Sequence, residues 1–181
     1  MEFLKLADLK TLYFIVPVIL FIHEMEEWDI FFFHKNNYRN NLIDETVLST
    51  RLWLLFLSVT GFVWTAVCYI IPNAVVSNAI MMVLVDFTLL NSIQHIGMTI
   101  KIKKYNPGFI FGGIIGMLGA LTIIAKIVID AQFPDWLLLL LVVLVIPGIA
   151  DSVIQSKKNE LPEMVKYILL FSKKLEKLMI E

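Results

Sequence analysis

Residues 52–71 run for 20 positions without a charged side chain and stop at Pro72. That is the length of helix needed to cross the ~30 Å hydrocarbon core of a bilayer. Three further windows have the same character: 74–100, interrupted by Asp86 and His95; 109–129, interrupted by Lys126; and 136–154, apolar as far as Pro147. With 59% hydrophobic residues and a mean hydropathy of +0.80, the chain is too apolar for a soluble domain. An all-α, polytopic membrane helical bundle is expected.

The first window is harder to place. From Thr11 to Ile22 there are 12 residues, about 18 Å of helix at ~1.5 Å per residue, which is too short to cross. Extension to Phe33 gives about 34 Å but takes "FIHEMEEW", residues 21–28, into the span. A competing registration starts the helix near Phe3 and leaves the glutamates at the interface. The longer reading gives five spans, 11–33, 52–71, 74–100, 109–129 and 136–154, in a unit covering 1–156.

Charge then orients the bundle. One side receives Lys35, Arg39, Arg51, Lys101, Lys103, Lys104, Lys157, Lys158, Lys166, Lys173, Lys174 and Lys177; the other receives Lys5 and Lys10, with Lys126 near its surface. By the positive-inside rule the C-terminus is expected in the cytoplasm and the N-terminus outside, in a protein of the cell membrane. Glu2 and Asp8 dilute the N-terminal charge and no small-residue cleavage site follows, so the first apolar run is expected to be retained as a span. Cys68, the only cysteine, excludes an internal disulfide and a thiolate metal cluster. In the tail, 157–181, Met164, Ile168, Phe171, Leu175, Leu178 and Met179 recur at helical spacing. That pattern predicts an amphipathic helix on the anionic inner leaflet, with a partner-docking helix as the alternative.

The motif carries the chemistry. On a helix, His23, Glu26 and Glu27 are at i, i+3 and i+4 and share a face, while Glu24 and Trp28 point elsewhere. Ionisable groups at membrane depth cost at least ~2.5 kcal/mol each unless paired, hydrated or bound. An imidazole with carboxylates suits a divalent cation, whether zinc, iron or manganese. The simpler reading is that these groups cap the first span and face water. One helix does not supply a full ligand set, and "NSIQHIG" in the third span places Asn91 and His95 four residues apart on one face. His95 lies six residues before Lys101 and Glu27 eight before Lys35, about 9 and 12 Å from the same end. If one ion is shared, the imidazole nitrogens of His23 and His95 should come within about 5 Å.

With "HEMEE" in the first span, "NSIQH" some seventy residues on and "YNPG" after it, the sequence resembles the HxxEE-domain family of uncharacterised integral membrane proteins. The resemblance covers roughly residues 10–130. It implies a membrane-embedded, metal-dependent enzyme carried by His23, Glu26, Glu27, Asn91 and His95, with Tyr105, Pro107 and Gly108 in support; the family's reaction is unassigned.

Other residues have quieter readings. Asp86 is about 180° around the helix from His95 and is expected to hydrogen-bond another helix. Asp151, beyond the kink expected at Pro147, is a secondary ligand candidate. Lys126 and Asp130 form an i, i+4 pair expected to be solvated or snorkelling. His34 and Tyr38 fall in "HKNNYRNNLIDET", which reads as a loop. Gly112 and Gly116 have the small-xxx-small spacing of close helix approach against the first or third span, with oligomerisation open. "HEMEE" lacks the second histidine of a zinc-protease motif, three histidines are too few for a histidine-rich desaturase, and no phosphate loop, serine elbow or nucleic-acid surface is present. Two functions stay open: a metal-dependent enzyme on a lipid or other apolar substrate near the cytoplasmic leaflet, with a glutamate as general base, or a non-catalytic carrier, proton relay or accessory subunit.

Overall fold

The computed structural model describes residues 6–38, 45–131 and 133–180, and every regular element among them is helical. In chain order these are α1 Leu9–Leu12, α2 Ile15–Glu26, α3 Ile30–Asn37, α4 Val47–Ile70, α5 Ala74–Ile102, a π turn Phe109–Ile115, α6 Gly116–Asp130, α7 Asp135–Val143, α8 Val145–Lys158 and α9 Glu163–Ile180. Four stretches are long and apolar enough to cross a membrane: Val47–Ile70, Ala74–Ile102, Phe109–Asp130 and Asp135–Lys158. Their outward faces carry large apolar side chains such as Val59, Leu118 and Leu139, each more than half exposed. Such surfaces suit lipid, and the chain has the make-up of an integral membrane protein.

The first segment is not the continuous helix expected over 11–33. It breaks at Tyr13–Phe14, where Pro17 has no N–H to offer the carbonyl of Tyr13 and Val16 N–H donates to it instead, at 3.2 Å. It breaks again between Glu26 and Ile30. Arg51 holds this second turn, with its Nη2 2.9 Å from Asp29 Oδ1, its Nε donating to the Trp28 carbonyl at 3.3 Å and its guanidinium 4.9 Å from the centre of the Trp28 ring. His34, expected in a loop, is instead a buried residue of α3, and Tyr38 caps that helix. Residues 39–44 of that stretch lie outside the described residues.

The long helices start and stop where the chemistry allows. Thr46 and Ser49 form a reciprocal capping box at the start of α4. Asn73 Oδ1 accepts from Val76 N–H at the start of α5. Lys10 donates to the carbonyls of Tyr69 and Ile71 at 3.1 and 2.6 Å, satisfying the end of α4. The fifth apolar window divides at Leu144, three residues before Pro147, which cannot bond the carbonyl of Val143.

Helix α2 lies at the centre, against α4 on one side and the π turn and α6 on the other. Its buried Val16, Ile19 and Leu20 share the interior with Met81, Met82, Val85, Ala120 and Ile123 of α5 and α6. Helix α9 does not stand apart from the bundle. It runs antiparallel to the first half of α4, with Leu169 against Trp53 and Leu54, the Phe171 ring 5.4 Å from that of Phe56, and Glu176 Oε1 accepting from Thr46 Oγ1 at 2.7 Å. The face it buries is Leu169, Ser172 and Glu176, so Phe171, Leu178 and Met179 of the expected apolar stripe remain exposed.

Candidate metal centre

Three elements converge on one buried point. Helix α2 brings His23 and, one turn later, Glu27, whose N–H still donates to the His23 carbonyl at 3.1 Å. Helix α5 brings His95. The third element is the turn from Tyr105 to Gly108, followed by the π turn. His23, Glu27 and His95 are all buried and each offers a ligand atom, all within 4.8 Å of one another, inside the 5 Å expected of two imidazoles sharing an ion. The rings of His23 and His95 stand edge to face with centroids 4.8 Å apart.

Each imidazole spends one nitrogen on a carboxamide and keeps the other for the cluster. His23 Nε2 is 2.7 Å from Asn91 Nδ2, which leaves Nδ1 buried without a partner. His95 Nδ1 is 3.1 Å from Asn106 Nδ2, which leaves Nε2 3.1 Å from Glu27 Oε1. Those last two atoms are close but not aligned as a hydrogen bond, and Glu27 Oε1 has no hydrogen-bonding partner. Imidazoles oriented by a neighbour through the far nitrogen are the usual support of metal-binding histidines.

The roof of the cluster is backbone. Gly108 has φ +86°, and a Cβ there would fall 2.5 Å from His95 Cε1 and 2.6 Å from both Glu27 Oε1 and His23 Cε1. Only glycine adopts that backbone readily, and only glycine leaves the centre of the triad free. A Cβ on Gly112 would collide with the His23 ring, and one on Gly116 would fall 2.7 Å from Ser92 Oγ. The small-residue spacing therefore serves close approach to the first and third apolar segments.

Glu26 has other work. Its carboxylate accepts the N–H groups of Ile110 and Phe111 at 3.1 and 2.8 Å and the hydroxyl of Tyr105. It thus sits on the free amides that open the π turn, and its oxygens are not among the converging ligand atoms. Irregular π geometry is frequent at functional sites; here it aims Gly108 and Gly112 at the histidines, with Gly113 N–H donating to the Gly108 carbonyl at 2.9 Å. The Tyr105 phenol is pushed up to about 12 by partial burial and then by its bond to, and the charge of, Glu26, so it stays a neutral donor.

Glu24, expected to point away, is buried beside the triad and lines the same cavity, with Oε2 unpartnered. Asp151 is not at the site: its carboxylate accepts from Gln155 Nε2 at 3.2 Å and from Glu163 N–H at 2.9 Å, which caps α9. Asp86 makes no bond to another helix through Oδ1, which is buried and unpartnered. Lys126, expected in a solvated or snorkelling pair, is 2% exposed and meets Asp130 at 2.7 Å within the bundle.

The match to known families settles what this arrangement belongs to. Residues 14–123 match the family described as a protein of unknown function with an HXXEE motif. The chain belongs to the HXXEE family. That match takes in α2, α5, the π turn and every residue of the triad. No curated protein and no solved structure matches the chain. Within the HXXEE motif the two glutamates diverge: Glu27 joins the imidazoles, and Glu26 holds the backbone above them.

The sequence pattern gave no sign of Asn106 and assigned Glu24 to the wrong side. Asn106 lies inside "YNPG", where a turn explains an asparagine without further cause. Glu24 is one residue from His23, and a strict helical wheel puts it 100° off the site.

Proposed function

We propose that this HXXEE protein is a membrane-embedded, metal-dependent enzyme acting on a lipid or other apolar substrate. The observation that carries the reading is the buried convergence of two imidazoles and one carboxylate, with unpartnered atoms on His23 and Glu27 facing a common point. Two nitrogens and one carboxylate oxygen form the ligand set of catalytic zinc sites, which keep a further position open, and they suit iron or manganese as well. His23, Glu27 and His95 hold the ion. When bound, a divalent cation supplies Lewis-acid polarisation of a carbonyl or phosphoryl oxygen and makes a nearby water more acidic.

The chain's own groups complete the site. Asn91 and Asn106 fix the two rings; Glu26 and Tyr105 fix the π turn that roofs them. Glu24 Oε2 is the carboxylate oxygen free to take a proton from water or substrate in the cavity. Buried apolar walls exclude bulk water and strengthen every charge interaction inside.

In this reading the broken segment α1–α3 serves as a fifth span. The lysine-rich end, with Lys101 and Lys157, faces the cytoplasm and its leaflet, and α9 meets that surface with Phe171, Leu178 and Met179. A broken helix at membrane depth is tolerable because its freed backbone is buried in protein.

The test is elemental analysis of detergent-purified protein. Wild type should carry one transition metal per chain, and His23→Ala and His95→Ala should lose it while keeping their helical circular dichroism. Metal-free wild type, with both variants unchanged in an ion- or proton-transport assay that Glu27→Gln abolishes, would move the same cluster to a carrier or relay.

A further inference from the structure

The cavity that reaches the triad extends well beyond it, with a volume of about 450 Å³. Along α5 it is lined from Phe87 past His95 to Lys101, 14 residue steps and therefore about 21 Å of helix. Its other walls include Leu57 of α4, Val153 of α8 and Val165 of α9. The triad is neither at its mouth nor at its end: His95 lies about 12 Å along the helix from Phe87 and about 9 Å from Lys101.

Charge is graded along this length. At the triad stand two carboxylates, its own Glu27 and the neighbouring Glu24, each with an unpartnered oxygen. At the far end stand Lys101 and Lys157. Among the described residues Lys101 Nζ meets neutral acceptors, the Ser156 carbonyl and, at 3.0 Å, Asn159 Oδ1. Lys157 is exposed and has no partner among the described residues. Among the described residues the acidic side chain lining that end is Glu160, 3.0 Å from Lys166, which also holds Glu163 at 2.8 Å. Neither Lys101 nor Lys157 has an acidic partner among the described residues.

The helices also leave a way in from the side. Helix α5 packs on both α4 and α8, but α4 and α8 share no extensive packing among the described residues, and α9 bridges them only from the lysine-rich end. The boundary between the fourth apolar stretch and the rest is correspondingly thin: 11% of its apolar window is buried, against 44% for α5.

We propose that this cavity takes a single-chain lipid with an acidic headgroup: the headgroup at Lys101 and Lys157, the chain passing the triad toward Phe87 and Leu57, the reacting bond about 9 Å below the headgroup. A mostly apolar cavity selects a chain, two lysines without an acidic partner among the described residues select an anion, and the inner carboxylates keep that anion at the mouth. The inference rests on the metal-enzyme reading for what happens at the triad, but not for binding.

The test uses Trp53, which lines the cavity, in full-length protein with Trp28, Trp64 and Trp136 replaced by Phe, chelator-treated and held in phosphatidylcholine nanodiscs. Chain-brominated lysophosphatidic acid, lysophosphatidylcholine and monoacylglycerol serve as quenchers. The acidic probe should quench at least tenfold more tightly than the other two. Lys157→Glu should erase that difference, Lys157→Gln should reduce it, and Val153→Phe should weaken all three probes. Equal quenching by the three probes, an undiminished preference in Lys157→Glu, or displacement of the acidic probe by millimolar inorganic phosphate would overturn the proposal. Because the protein is metal-free, failure here leaves the metal analysis standing, and a metal-free wild type leaves this result standing.

Discussion

Two buried histidine–glutamate pairs, each with its histidine lining the same cavity, differ in one respect. His95 Nε2 is 3.1 Å from Glu27 Oε1, and His34 Nδ1 is 3.1 Å from Glu45 Oε1. Both histidines are under 10% exposed. Glu45 also accepts from Thr50 Oγ1 at 2.8 Å, and Tyr38 packs edge-on against the His34 ring at 5.6 Å. Neither His34 nor Glu45 is left with a buried polar atom lacking a partner, among the described residues. The His95 pair has a second imidazole beside it and unpartnered atoms on His23 and Glu27. Burial and pairing are therefore what any tolerable charge in lipid requires, and they do not by themselves mark a site. Convergence of unspent ligand atoms does.

The sharpest way to break this contrast is to delete one histidine from each pair. His95→Ala should take bound metal from one per chain to near zero, while His34→Ala should retain it; loss in both, or in neither, would dissolve the distinction. A subtler plug comes next. Gly108→Ala removes no ligand but puts a methyl at the centre of the triad and strains a positive φ by roughly 1 kcal/mol. Metal affinity should fall at least a hundredfold by competition titration, with the melting temperature lowered only modestly.

Glu26→Gln tests the motif's division of labour. Metal affinity should drop about tenfold, the scale of a lost supporting contact, rather than vanish as in the histidine variants. The Tyr105 phenol should titrate below about 12 in this variant, followed by ultraviolet difference absorbance against Tyr105→Phe. The sign follows from the raised value: the folded protein prefers the protonated phenol, so in wild type the Tyr105 contribution is lost as pH rises through about 12. The smallest effect belongs to the second pair. Thr50→Ala should cost about 1 kcal/mol of stability by chemical denaturation in detergent and leave metal content unchanged.

Much of the site was legible because helical spacing is a local rule. A spacing of four from Asn91 to His95, and of four from His23 to Glu27, puts each pair on one face whatever the rest of the chain does. Similar distances of His95 and Glu27 from flanking lysines, six and eight residues, then matched their depths to within about 3 Å. The same rule misled at Glu24 and Glu26. It gives each residue a side of the helix but not what packs there: Glu24, inside α2, still lines the cavity, and Glu26, at the end of α2, reaches the π turn instead of the triad. His34 was misread for a related reason, since a polar composition signals a loop only where nothing buries it, and Glu45 with Tyr38 does.

By itself the sequence determined the membrane class, four apolar helices, and the residues able to hold an ion, because length, apolarity and ligand chemistry are properties of the chain alone. Only the tertiary structure decided that Glu27 meets the imidazoles while Glu26 holds the π turn, that Asn106 and Gly108 complete the cluster, and that α9 walls its cavity. Those choices depend on where a broken helix, a positive-φ glycine and a returning tail come together across seventy or more residues, and no local periodicity encodes that distance.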